Sequence, residues 1–159
     1  MANLGCQVTG IDPSEEGIEI ALKRRSTENG SPIFAVGSAY DPLASQYGQF
    51  PFVVSLEVVE HVYFPRKLAA AVAELLLPGG TAVISTPYHG YCKNLALAVT
   101  GKMDSHFTAL WDHGHIKFWS PRTIASLFAE QRLTLRKVLR VGRVPCLAKS
   151  MICVFDKPQ

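Results

Sequence analysis

The sequence predicts an α/β fold, a three-layer sandwich whose mostly parallel sheet ends in an antiparallel strand. Two observations carry this. Short apolar runs alternate with stretches of helical periodicity over the first half of the chain, and two β-rich segments close it one after the other.

Gln7 to Ile11 reads as a short strand ending at Asp12, followed by Pro13 and by Ser14 as a helix N-cap with Glu15 and Glu16 in the first turn. A helix then runs to about Arg24, with Ile18, Ala21 and Leu22 at helical spacing. Pro32 to Val36 is a second strand, and Phe52 to Leu56 reads as a third, a buried parallel one. From Pro65, the positions Leu68, Ala69, Val72, Leu75 and Leu76 form one helical face, which Pro78-Gly79-Gly80 should terminate. Thr81 to Ser85 is a fourth strand. The pattern then loosens into a loop-rich insertion at about 87–119, of the kind that often serves as a lid or binding loop. Ser120 and Pro121 cap and start a helix carrying Ile124, Leu127 and Phe128 on one face. Leu133 to Val141 and Ser150 to Phe155 are the closing strands.

The 159 residues predict one domain, 1–159, and a composition of 48% hydrophobic and 18% charged residues suits a packed core. Cys6, Cys92, Cys146 and Cys153 form no CxxC pair and no dense framework, which argues against a disulfide scaffold or a zinc knuckle and for a reducing cytoplasm. The weakly charged stretch from Leu75 to Cys92 is broken by prolines and glycines, so no membrane span is expected. Net charge is +3, concentrated in Arg132, Arg136, Lys137, Arg140, Arg143 and Lys149. That strip could meet nucleic acid, but it reads more simply as a solvated strand face or a charged sheet edge. The sequence fixes no oligomeric state.

Chemistry concentrates at Glu57-Val58-Val59-Glu60-His61, directly after the third strand. Ligands of open α/β sheets collect beyond the carboxyl ends of the strands. Two carboxylates and an imidazole there could hold a divalent cation or act as acid and base groups; they could also be an ordinary helix start. Asp12, at another strand end, could accept hydrogen bonds from a ribose diol or simply close a turn. Tyr88, Tyr91, Phe107, Trp111, Phe118 and Trp119 crowd the insertion, either as a stacking surface or as a satellite core. His89 and His106 gain no partner from spacing.

Val8-Thr9-Gly10-Ile11-Asp12, Gly37-Ser38-Ala39, the Glu57 to Val62 block, Leu77-Pro78-Gly79-Gly80 and Ile84-Ser85-Thr86-Pro87 follow one another as in class I S-adenosylmethionine-dependent methyltransferases. The chain resembles that superfamily from Gln7 onward, through the ordered set rather than any single piece. The resemblance implies a Rossmann-like fold and S-adenosylmethionine as cofactor. Asp12 would bind its ribose, Ser38 and Ala39 would lie beside its adenine, and Leu56 with Glu57 would line its methionine end. The family often has Asp where this chain has Ser38. Its first strand and glycine-rich loop precede the segment that starts here, and Met1 to Gly5 resembles the end of the following helix. By the resemblance, the domain is therefore truncated at its amino end and its first strand is missing.

Two branches share Glu-x-x-Glu-His. Small-RNA 2′-O-methyltransferases are similar in Glu57, Glu60 and His61, there magnesium ligands, with a fourth ligand matching His115. Ubiquinone-type O-methyltransferases are similar through Ile84 to Pro87 and the insertion, with His113 nearer their histidine motif. The resemblance thus implies methyl transfer to a hydroxyl oxygen of a small molecule or glycan, with methylation of RNA 3′ ends as the alternative. A possible metal set is Glu57, Glu60, His61 and His115; two imidazoles suit zinc, manganese or iron better than magnesium. Without metal, His61 or His115 would take the proton. A nicotinamide-dependent oxidoreductase would also use Asp12 but leaves the Glu-x-x-Glu-His block idle. A non-catalytic interaction domain would keep the sheet and lose the site.

Overall fold

The computed structural model describes residues 5–24, 32–142 and 144–159. It divides into two compact units, Met1–Tyr47 and Gly48–Gln159. Of the helix end expected at residues 1–5, all but Gly5 lies outside the described residues, as does Arg143 of the basic strip.

The first unit holds β1 (Thr9–Asp12), α1 (Glu15–Arg24), β2 (Ile33–Val36) and a short α2 (Leu43–Tyr47). β1 and β2 pair in parallel, Thr9 opposite Ile33 and Asp12 opposite Val36. The start of α1 follows its sequence signal: Ser14 Oγ accepts from the Gly17 N–H at 3.0 Å, and Ile18 on the inner face is buried. The turn before it is closed by Asp12, whose Oδ1 accepts from the Ser14 N–H at 2.8 Å.

The second unit holds β3 (Phe50–Leu56), α3 (Pro65–Leu75), β4 (Leu76–Pro87), α4 (Tyr91–Val99), α5 (Met103–Phe107), α6 (Pro121–Ala129), β5 (Thr134–Val141) and β6 (Ser150–Asp156). Its sheet order is β3-β4-β6-β5, parallel between β3 and β4 and antiparallel thereafter. The antiparallel ending follows from the closing strand pair. β6 buries Met151, Cys153 and Phe155 at every second position, and Phe155 packs on Phe128 of α6 with ring centroids 4.5 Å apart. α6 begins in a capping box between Ser120 and Thr123 and buries Ile124, Leu127 and Phe128.

Three expectations need correction. Helical spacing puts Leu76 on the α3 face, but β4 begins there, because Leu76 pairs with Phe50 across the sheet. The last carbonyls of α3 are satisfied from afar instead of by Pro78-Gly79-Gly80. Lys157 Nζ donates to Ala73 O and Leu76 O at 2.7 and 2.8 Å, and Gln49 Nε2 donates to Glu74 O at 2.9 Å. β3 is not a wholly buried strand: Phe52, Val54 and Leu56 are exposed and Ser55 is buried. The insertion contains two short helices, α4 and α5, between its loops. α4 buries no residue, although Cys92, Leu95, Ala96 and Val99 fall at helical spacing.

Candidate active site

The end of β3 turns abruptly. Glu57 has φ +52°, a left-handed backbone that costs a residue with a side chain about 1 kcal/mol or more. Ser85 at the end of β4 holds it there: the Glu57 N–H donates to Ser85 O and Oγ, both at 3.1 Å. Ser85 Oγ and Ser150 Oγ then donate to Glu57 Oε1 at 2.8 and 3.0 Å. A backbone outlier pinned by its neighbours marks a position where the turn itself has a use.

The turn delivers Glu60 into the protein and His61 to its surface layer. Glu60 is 1% exposed; its Oε2 accepts from Thr86 Oγ1 at 3.0 Å, and its buried Oε1 has no hydrogen-bond partner among the described residues. Burial, with the Glu57 charge beside it, pushes the Glu60 carboxyl up to about 7.

The segment 113–119 is fastened to this turn. Ile116 and Lys117 donate their N–H groups to Glu60 O at 2.9 and 3.0 Å, and Trp119 Nε1 donates to Val59 O at 3.2 Å. His61 Nδ1 lies 3.1 Å from His113 O and 3.2 Å from Gly114 O. Carbonyls only accept, so Nδ1 carries the proton and neutral His61 keeps its lone pair on Nε2. Two backbone features make the approach possible. His113 is left-handed at φ +61°, and a Cβ on Gly114 would come within 2.9 Å of Trp111 O. His115 consequently meets His61 edge-on, ring centroids 4.9 Å apart. Burial and the His61 charge hold the His115 imidazole below its ordinary range.

One ligand-capable atom from each of Glu60, His61 and His115 lies within 4.8 Å of the other two. Glu57 is not part of that group; its carboxylate is turned to Ser85 and Ser150. One carboxylate and two imidazoles are a donor set for a divalent transition metal, and the partnerless Glu60 Oε1 and the protonated Nδ1 of His61 both fit such a group.

Beside the cluster is a cavity of about 320 Å³, whose walls include Glu57, His115, Phe107, Trp111 and Lys149. His89, unassigned from sequence, is 7% exposed and packs among His106, Phe107 and Phe118 at centroid distances of 5.4, 5.9 and 5.0 Å. Burial first, then Lys93 and His106, push its imidazole down to about 4. The aromatic residues divide: Tyr88 and Trp119 are buried, Phe107 and Phe118 line the cavity, and Tyr91 is exposed. Thr86, Ser85, Ser150 and Lys93 carried no signal in the sequence strong enough to attach them to the site.

In the first unit, Asp12 ends β1 exposed, with Oδ1 engaged by Ser14. Ser38 and Ala39 follow β2; the Ser38 N–H donates to Asp41 Oδ2 at 2.7 Å, and Ser38 Oγ accepts from the Tyr40 N–H at 3.2 Å. Asp41, which sequence reasoning passed over, organises this turn. Leu56 is exposed at the end of β3.

Solved structures set the fold. The chain superposes on a putative methyltransferase from Haloferax volcanii solved with its Trm112 activator, at TM-score 0.71 and 16% identity, covering 96% of this chain and 72% of that one. The magnesium protoporphyrin IX methyltransferase of Synechocystis PCC 6803 with bound SAH also gives 0.71, at 14% identity, covering 98% and 66%. The fold is thus that of the Rossmann-like methyltransferases. The family described as methyltransferase domain matches residues 1–138. Ubiquinone biosynthesis O-methyltransferases from Thiobacillus denitrificans and Xanthomonas campestris pv. campestris are 33% and 34% identical over 134 and 139 residues, or 84% and 87% of this chain. The chain belongs to the methyltransferase domain family, within the class I S-adenosylmethionine-dependent superfamily. It spans 57–58% of the length of these two curated relatives.

Proposed function

We propose that the protein transfers a methyl group from S-adenosylmethionine to a hydroxyl oxygen of a small molecule. The observation that carries the reading is the convergence of Glu60, His61 and His115 beside a cavity with aromatic walls. The cofactor would be bound through Asp12 at the ribose, Ser38 and Ala39 at the adenine, and Leu56 with Glu57 at the methionine end. Without a metal, His61 or His115 would accept the acceptor's hydroxyl proton on a ring nitrogen that is unprotonated in the neutral imidazole. As the oxygen forms its bond to the methyl carbon in line, the carbon–sulfur bond breaks and its electron pair stays on sulfur, giving S-adenosylhomocysteine. Glu60, His61 and His115 would hold a divalent metal, which would supply Lewis acidity that lowers the pKa of the hydroxyl. Glu57 would orient the turn rather than ligate.

The 33–34% identity to ubiquinone biosynthesis O-methyltransferases favours a small-molecule acceptor. The basic strip gives the RNA alternative little support: Arg136 pairs with Asp156 at 3.0 Å, and Arg140 lies over the Tyr88 ring at 5.0 Å. Among the described residues no helix is long and apolar enough to cross a membrane, and all four cysteines are free. We assign the reaction to the reducing cytoplasm on the latter ground.

The test is transfer of an isotopically labelled methyl group from S-adenosylmethionine to a panel of phenols, glycans and RNA 3′ ends, with and without chelator. Label in phenols that is lost in His115→Ala supports the reading. Label confined to RNA, or binding of S-adenosylmethionine without transfer to any acceptor, overturns it.

A further inference from the structure

The cavity beside the cluster is lined by two lysines, Lys93 and Lys149, that form no salt bridge among the described residues. Lys93, partly buried in the first turn of α4, donates to Tyr88 O at 2.8 Å, its one side-chain hydrogen bond among the described residues, which leaves two N–H bonds for a ligand. Lys149, just before β6, lines the same cavity. Among the described residues neither ammonium has a carboxylate within salt-bridge distance. The one carboxylate in the wall, Glu57, keeps its charge but is oriented by two serine hydroxyls and makes no salt bridge to either lysine. Burial and then the Lys149 charge hold the Lys93 ammonium below its ordinary range. His89 and His106 feel the same positive field, each lowered in turn by burial and by Lys93. Lys93 is partly buried and Lys149 exposed, and their like charges oppose each other; an anion between them removes the opposition.

Rings make up much of the remaining wall. Phe107 and Phe118 pack edge to face at 4.7 Å, and Trp111 stands against His115 at 5.4 Å. A cavity of about 320 Å³ is at the small end for ligand sites, room for a single substituted ring.

We propose that the cavity takes an aromatic hydroxy acid, with its carboxylate on Lys93 and Lys149, its ring against Phe107 and Phe118, and its hydroxyl at His115. The assignment rests on the hydroxyl methylation proposed above and names its acceptor class. Charge-assisted hydrogen bonds from two ammoniums fix one end of the ring, so the opposite substituent is presented to the imidazoles. Neutral His89 contributes shape without adding a third cation.

The test uses the full 159-residue chain and two probes that differ in charge and hardly in shape, 4-hydroxybenzoate and 4-hydroxybenzamide, titrated by calorimetry. The acid should bind about tenfold or more tightly than the amide. Lys93→Met combined with Lys149→Met should abolish the preference, while Lys93→Arg keeps it; circular dichroism checks that each variant is folded. Equal binding of acid and amide, no binding of the acid at millimolar concentration, or a preference that survives the double substitution each overturns the proposal. Labelled methyl transfer is read separately. A charge preference without transfer upholds the cation pair and strikes the methylation reading; transfer to phenols without a charge preference does the reverse.

Discussion

Thr86 Oγ1 donates a 3.0 Å hydrogen bond to Glu60 Oε2, joining the end of β4 to a carboxylate whose other oxygen is buried without a hydrogen-bond partner among the described residues. Both residues are essentially sealed from solvent, so the bond has no water to replace it. Thr86→Val keeps the shape and removes the donor. Leaving a second buried carboxylate oxygen unpaired should cost about 1 to 3 kcal/mol in urea unfolding at neutral pH. Thr86→Ser should recover most of that loss. Unchanged stability in Thr86→Val would mean that Glu60 finds another donor.

The three-residue cluster predicts a graded response to substitution at neighbouring histidines. Calorimetry with manganese or zinc should give saturable binding, weakened at least about tenfold by His115→Ala, a loss no smaller than that for removing a supporting group. His113→Gly should leave binding nearly intact. Its contact to His61 is made by the backbone carbonyl, and glycine adopts the φ of +61° without strain. Equal losses in the two variants would show that the segment's conformation matters and His115 as a ligand does not.

Asp12 has a local duty that must be separated from any cofactor role. Asp12→Asn preserves an acceptor for the Ser14 N–H and removes the charge. Affinity for S-adenosylhomocysteine should fall by about 1.5 to 3 kcal/mol, the scale of a hydrogen bond to a charged group, while thermal unfolding stays within a degree or two of the parent. Equal affinity would take Asp12 out of the site.

What could be read from the sequence was local. β1, α1, α6 and the closing strand pair each carry their own period or cap, and Glu60 with His61 sits in a single pentapeptide at a strand end. What could not be read was set across long separations. Glu57 looks like a ligand beside Glu60, yet its orientation is decided by Ser85 and Ser150, 28 and 93 residues away. Leu76 continues the helical spacing of α3 but becomes a strand because Phe50 pairs with it. Lys93, His89 and His106 come from the insertion, where no shared periodicity links them, and only the folded chain brings them to one cavity. His115 was an exception, and only because its spacing from Trp119 matched a known motif.

The buried imidazole of His89 predicts an acid sensitivity of known sign. Its pKa is lowered from 6.5 to about 4 in the folded protein, by burial first and then by Lys93 and His106. Between those values the unfolded chain binds a proton that the folded one refuses, so stability rises with pH across this window. The contribution is fully present above pH about 6.5 and is lost as pH falls through about 4, with a span of up to about 3 kcal/mol. His89→Phe removes the titration while keeping a ring among Phe107 and Phe118, and it also removes an Nδ1 that has no hydrogen-bond partner among the described residues. At pH 7.5 the variant should equal or slightly exceed the parent in urea unfolding, and at pH 4.5 it should be the more stable by about 2 kcal/mol or more. Parallel stability curves for the two proteins between pH 7.5 and 4.5 would show that His89 titrates normally and that its pocket admits the charge.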